Sequence, residues 1–219
     1  MGVVLLPSLS KFLRDGERER SIATQNQAIW VAMFLAVPCA VGLGMLSHEI
    51  IKVLFERGSF SAADTEMVAK TLYAFAYGTP AFILAKIFTP SFYAAEDTKT
   101  PVKIAIFCII LNVVVSLSLI KYFGFDHLAL AIATVASSWA NVILLNWFLH
   151  KNGLFKFHKI TFVKLAQISF CAALMAIAVL FLKAEGLNLF IIIALAGALY
   201  FVVALLLKTV SIKTMLGRL

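Results

Sequence analysis

Six apolar runs, at residues 28–46, 71–95, 104–120, 128–149, 165–182 and 187–207, decide what this chain can fold into. The hydrocarbon core of a bilayer is about 30 Å thick and takes about 20 apolar residues as helix; only a helix or a closed barrel satisfies every backbone group there. None of the runs alternates apolar and polar residues at period two, which disfavours an outer-membrane barrel. Only the second is interrupted by a charge, Lys86. With 62% hydrophobic and 14% charged residues, against about 45–50% and about 25% in soluble domains, the chain is no soluble globular enzyme, disordered tail or disulfide scaffold. The expected fold is all-α, a polytopic transmembrane helical bundle of six full spans. Ahead of them, residues 2–6 form an apolar stub ending at Pro7, too short to cross and without the basic lead of a signal peptide. It reads as the end of a truncated span.

The formal charge of +8, from 19 Lys and Arg against 11 Asp and Glu, has to be placed before it is interpreted. If the segment 8–27 is cytoplasmic, that side collects Lys11, Arg14, Arg18, Arg20, Lys99, Lys103, Lys151, Lys156, Lys159, Lys164, Lys208, Lys213 and Arg218. The other side collects Lys52, Arg57, Lys70, Lys121 and Lys183, and Lys86 remains in the membrane. This bias predicts both termini inside. Positive charge is then a topology signal first, an attraction to membrane lipid headgroups second, and no pointer to nucleic acid. The chain divides into 1–27, the truncated span end with a cytoplasmic segment; 28–149, four spans; and 150–219, the last two spans with a tail. In that tail Ile212, Met215, Leu216 and Leu219 fall at helical spacing, between Lys213 and Arg218, and predict a short helix on the cytoplasmic leaflet.

Local signals set the connections. After the first span, Glu56-Arg57-Gly58 predicts a helix end at a glycine able to take the left-handed conformation, and Ser61-Ala62-Ala63-Asp64 a capping box that starts the next helix. In Asp97-Thr98-Lys99-Thr100-Pro101, Thr100 is the expected N-cap and Pro101 the first helical residue. Lys103 then falls in the first turn, where the helix macrodipole disfavours a cation.

Polar groups within the spans are the candidates for function. An intramembrane ionisable residue is costly, and Lys86 has two readings: its stem snorkels to the cytoplasmic interface, or it contacts a charged substrate in a cavity. Pro80 and Pro90 bracket it, each removing one helical hydrogen bond that Thr79 or Thr89 could compensate, so a bent or hinged helix is expected. Asn112 and Ser116 share a face of the third span, and Thr134, Ser137, Ser138 and Asn141 lie on the fourth. They either bond the two helices together or form a polar, cation-binding cluster. Neither span carries a carboxylate. Gly42, Gly44 and the alternating Ala129, Ala131 and Ala133 are expected at close helix contacts, and Trp139 and Trp147 toward lipid or the interface. Cys39, Cys108 and Cys171 are isolated within apolar runs, suggesting neither disulfide nor metal site. No H-E-x-x-H, G-x-S-x-G or glycine-rich phosphate loop occurs, so no enzyme activity and no cofactor are expected.

Three stretches carry a resemblance. Residues 54–65, LFERGSFSAADT, and 91–103, SFYAAEDTKTPVK, resemble signature segments of the MurJ/MviN family, and residues 4–10, VLLPSLS, match the end of that family's preceding span. The resemblance covers the whole chain in span order. It implies the multidrug/oligosaccharidyl-lipid/polysaccharide exporter superfamily, and a flippase moving lipid II, the lipid-linked peptidoglycan precursor, across the bacterial inner membrane by alternating access. Family members have fourteen spans in two lobes around a cationic cavity. This chain resembles the last six, with a missing N-terminal lobe expected as a covalent or split partner. On this view 28–149 is part of the C-terminal lobe, and the last two spans line a lipid groove. Lys86, Lys99 and Lys103 become candidate phosphate contacts. Glu56, Arg57, Gly58, Asp97, Thr98, Thr100 and Pro101 become signature structural positions, and Pro80 and Pro90 hinges. The driving force would be the membrane potential or a cation gradient. Where the family often has an arginine eight residues before an Ala-Val-Pro proline, this chain has Trp30 before Pro38. The alternatives are a related polysaccharide-lipid or drug/cation exporter, and a truncated remnant that transports nothing.

Overall fold

The computed structural model describes residues 2–124, 127–207 and 209. Among them are eight helices: α1 (Gly2–Arg14), α2 (Arg18–Met45), α3 (Ser47–Phe55), α4 (Ala62–Ala94), α5 (Lys99–Phe123), α6 (His127–Lys151), α7 (Lys159–Ala184) and α8 (Leu189–Leu206). Six of them, α2 and α4 to α8, are long and apolar enough to cross a membrane, and each contains most of one predicted run. The all-α polytopic bundle is therefore found. The amphipathic stripe at 212–219 and the basic residues Lys208, Lys213 and Arg218 lie outside the described residues.

The neighbours run in the order α5, α6, α4, α2, α7, α8, with α1 and α3 also packed on α4. Phe88, Phe92, Leu145, Leu149, Ile168 and Tyr200 are among the side chains fully enclosed between them. On α5, by contrast, Ile106, Phe107, Ile109, Ile110, Val113, Val114 and Leu117 are all exposed. An apolar wall of that extent is what a lipid-facing helix presents.

Three boundaries differ from the sequence expectation. The stub does not end at Pro7: α1 continues through it to Arg14, because Leu5 and Leu9 are buried in the core and Leu6 and Leu13 pack against it, which outweighs the one hydrogen bond a proline removes. The segment 8–27 is accordingly mostly helical, and α2 begins at Arg18, ten residues before its apolar run. At the other end α2 stops at Met45 and a separate helix, α3, follows; it ends at Phe55, so Gly58, at φ +63°, takes the left-handed turn three residues beyond the helix.

Close helix approach also falls elsewhere than expected. A methyl group placed on Gly42 or Gly44 would meet its neighbours at ordinary contact, 3.5 Å from Met175 Cε and 3.6 Å from Ala76 Cβ. On Gly78 it would lie 2.8 Å from Val135 Cγ2 of α6 and 2.9 Å from Phe82 Cζ. Gly78 therefore sets how closely α4 and α6 pack, while Ala129, Ala131 and Ala133 are all buried.

Pro38 lies inside α2, and its missing N–H leaves the Phe34 carbonyl without its helical donor. Tyr200 of α8 supplies one: its hydroxyl donates to Phe34 O at 2.7 Å, with the two rings 5.4 Å apart. A carbonyl with no donor in hydrocarbon is costly, so the proline on α2 and the tyrosine on α8 act as a pair. Tyr200→Phe is expected to lower stability by about 1–3 kcal/mol in equilibrium unfolding from detergent micelles. The same change at Tyr73, whose hydroxyl meets only the exposed hydroxyl of Tyr77, should cost under about 0.5 kcal/mol.

Candidate functional site

Phe82, Ala85, Lys86, Thr89, Pro90 and Tyr93 follow one another at helical spacing and form a single stripe of α4. Across from them stand Ser138 and Asn141 of α6, and the space between is an open cleft of about 820 Å³. Lys86 is the only charged residue lining it. Its side chain is exposed to the cleft, and no described residue gives its ammonium a hydrogen bond or ion pair. It lies eight residues before the end of α4, about 12 Å of helix. An unpartnered cation among apolar walls and neutral polar groups favours an anion.

The prolines leave α4 continuous from Ala62 to Ala94. Thr79 and Thr89 do donate to backbone carbonyls, of Phe75 at 3.3 Å and Ala85 at 2.8 Å. Each therefore bonds the residue before the carbonyl freed by the proline, that of Ala76 or Lys86, and does not replace the missing bond.

A smaller cleft of about 230 Å³ adjoins the first, sharing Ser138 and Asn141 and reaching Asn112 and Ser137. Asn112 Nδ2 donates to Thr134 Oγ1 and to Ser137 Oγ, both at 3.2 Å, so the side chain ties α5 to α6. Ser116 does not join: it is buried and its hydroxyl has no partner among the described residues. Thr134 and Ser137, two of the four polar residues noted on the fourth span, are thus the partners of Asn112. Trp139, expected toward lipid or the interface, donates from Nε1 to Tyr77 O at 3.0 Å and ties α6 to α4.

At the α4–α5 turn the amide of Glu96 reaches Tyr93 O at 3.1 Å and that of Asp97 reaches Phe92 O at 3.0 Å. These bonds close α4 with a Schellman motif, which needs a left-handed residue, here Glu96 at φ +61° where glycine is usual. Glu96→Gly is expected to raise stability by about 1 kcal/mol, read as a higher unfolding midpoint in micelles. The expected cap is corrected. The helix starts at Lys99, Thr98 is the N-cap, and Asp97 Oδ1 accepts from the Thr100 amide at 3.0 Å. Pro101 thus sits third in the helix, where an N–H would have no helical acceptor, so it costs no bond. The hydrogen bonds from Thr100, with lesser help from Lys103, hold the Asp97 carboxyl below the usual carboxylate range. With the helix starting at Lys99, Lys103 falls beyond the first turn, where the macrodipole opposes a cation less. Lys99 and Lys103, the first and fifth residues of α5, are both exposed, and neither lines the Lys86 cleft.

At the opposite end, the Ser61–Asp64 capping box is formed in both directions. Thr65 donates to Glu56 Oε2 at 2.8 Å, and Arg57 to Leu54 O at 3.0 Å. These signature residues close a helical hairpin. Trp30 of α2 has the ammonium of Lys164, from α7, 6.0 Å from its ring centroid, so a cation stands near this position although it comes from another helix.

Sequence reasoning missed the polar groups that hold α7 in place. Asn26 and Gln25, both buried, bond the α6–α7 connection. Lys183 pairs with Glu49 at 2.7 Å and donates to Met45 O at 3.1 Å. The only sequence signal was two adjacent amides just before an apolar run. Among the described residues no group of His, Cys, Asp and Glu could hold a metal ion.

Comparison with known proteins gives one consistent result. A family model described as "Lipid II flippase MurJ" matches residues 1–201. The "Probable lipid II flippase MurJ" of Rickettsia prowazekii is 40% identical over 182 residues, 82% of this chain and 35% of that protein. The protein of that name from Rhizobium tropici is 32% identical over 228 residues, 97% of this chain and 42% of its own length. A solved structure, "Lipid II flippase MurJ, inward closed conformation", superposes with a TM-score of 0.75 at 25% identity, over 93% of this chain and 41% of that one. The chain thus spans less than half the length of these relatives.

Proposed function

Since the chain belongs to the lipid II flippase MurJ family, we propose that it supplies one group of spans of a flippase that carries lipid-linked peptidoglycan precursor across the bacterial inner membrane. The observation that carries the reading is the cleft between α4 and α6, where Lys86 is the single charge and no carboxylate competes with it. A pyrophosphate-bearing head group has the charge such a site favours, while its isoprenoid tail stays in lipid. No bond is made or broken, so the task is translocation rather than catalysis. Directional transfer would draw on the membrane potential or a cation gradient. Pro80 and Pro90 would let α4 bend as access alternates. The remaining lobe, on the same chain or a separate one, would close the cavity that six spans leave open. The charge bias supports cytoplasmic termini.

The test is restoration of transport. A bacterium depleted of its own lipid II flippase is given this chain together with the remaining length of a relative, and lipid II at the outer face is read by its cleavage with an externally added enzyme. Cleavage at the level seen with an intact relative is expected. A membrane-inserted, folded pair that gives none would favour the remnant.

A further inference from the structure

A second polar cleft, of about 390 Å³, lies between the end of α1 and the α4–α5 turn, and Ser10, Arg14, Tyr93 and Glu96 line it. Tyr93 also lines the Lys86 cleft, so the two spaces meet at its ring. Arg14 is exposed, with no hydrogen-bond or ion-pair partner among the described residues. Two cations without partners therefore stand on either side of one half-exposed tyrosine, Lys86 deeper and Arg14 at the helix ends.

We propose that Arg14 is the outer of two cationic stations on one path, and that a diphosphate lipid head group meets Arg14 first and passes Tyr93 to reach Lys86. This rests on the reading of the Lys86 cleft given above and adds to it the approach and the order of contact. Lys86 and Tyr93 are seven residues apart on α4, about 10 Å of helix, so the inner station lies two turns deeper than the residue shared by the two clefts. A head group arriving from the helix ends meets Arg14 before Lys86. A guanidinium suits the outer position because its planar fork takes two phosphate oxygens at once. Glu96, on the wall of the same cleft and not paired with Arg14, weakens the hold on an anion. A station that must pass its ligand onward has to bind weakly enough to release it.

The test uses the 219-residue chain in nanodiscs of neutral lipid, with a fluorescent polyprenyl diphosphate as the probe and the uncharged polyprenol as control. Arg14→Gln is expected to slow association about tenfold, as loss of a steering charge does, and Arg14→Lys to recover most of it. Glu96→Gln should tighten binding about threefold by removing a like charge. Binding of the polyprenol should be the same in every variant. If Arg14→Gln associates at the parent rate while Lys86→Gln loses binding, the outer station is overturned and the proposed function stands. If neither variant changes binding, both fall. Weaker binding in Glu96→Gln would mean that the outer cleft takes a cation, and would overturn the proposal. Unfolding midpoints of Arg14→Gln and the parent should coincide, since the side chain holds nothing in the fold.

Discussion

Replacing Asn26 with Leu is expected to lower the unfolding free energy by about 3–4 kcal/mol, the largest effect of any single side chain considered. The amide is 2% exposed and bonds in four directions. Its Nδ2 donates to Ile22 O at 2.9 Å and to Lys156 O at 2.8 Å. Its Oδ1 accepts from the His158 amide at 3.1 Å and from Thr161 Oγ1 at 2.7 Å. His158 is the N-cap of α7 and caps nothing with its own side chain, so α2 provides the cap from outside. Leucine would leave the His158 N–H, the Thr161 hydroxyl and the Lys156 carbonyl unsatisfied, each at a cost of about 1–3 kcal/mol when buried. Thr161→Val should cost about 1 kcal/mol alone, and less in the Asn26→Leu background, where its hydroxyl is already orphaned. Hydrogen exchange supplies the local readout: the His158 amide should exchange much faster in Asn26→Leu, with the α5 amides unchanged. Additive costs, or unaltered exchange at His158, would show that the amide does not clamp the connection.

The opposite end of α7 is fixed as well, by Lys183 on Glu49 and on the last turn of α2. Burial opposes the charge on Glu49, but the hydrogen bond and charge of Lys183, with a smaller effect of His48, outweigh it and hold the carboxyl below its ordinary value. The pair therefore adds stability at neutral pH and loses it as pH falls below the usual carboxylate range. With α7 held to α2 at both ends and α8 held through Tyr200, these three helices form one side of the bundle. The Lys86 cleft lies on the other, between α4 and α6.

The spans were legible because hydrophobicity alone must satisfy a bilayer, and a run such as 104–120 has no other stable use. Their starts were not. Residues 18–27 are polar, and nothing local says that Gln25 and Asn26 find partners 129 and 130 residues away, in Leu154 and Lys156. The same holds for Pro38, whose cost is visible in the sequence while the hydroxyl that offsets it comes from Tyr200. In the candidate site, Lys86 stood out because any charge in a span does. The cleft around it did not, because that depends on which face of α6 meets α4, where Gly78 stands against Val135. Asn112, Thr134 and Ser137 stood out as polar groups in apolar runs, but which of them bond one another depends on how α5 and α6 face each other.

Lys86 gives the sharpest division between the two readings that sequence alone left open. In the paired system, Lys86→Met is expected to lower transfer of lipid II to the outer face by about 10–100-fold. That is the loss of a charged hydrogen bond, about 1.5–3 kcal/mol, provided the contact is made with a moving phosphate. Stability should change by under about 0.5 kcal/mol, because the ammonium holds no other group in the fold and methionine keeps the length of the stem. Lys86→Arg should retain most transfer, since either cation can meet a phosphate. A lysine that merely snorkels would give a different result: loss of charge would leave transfer at the parent level, because nothing on the path would have changed. A lysine that is structural would lower stability and transfer together. Only a contact with the cargo separates the two measurements, with transfer lost in a protein as stable as its parent and regained by the other cation.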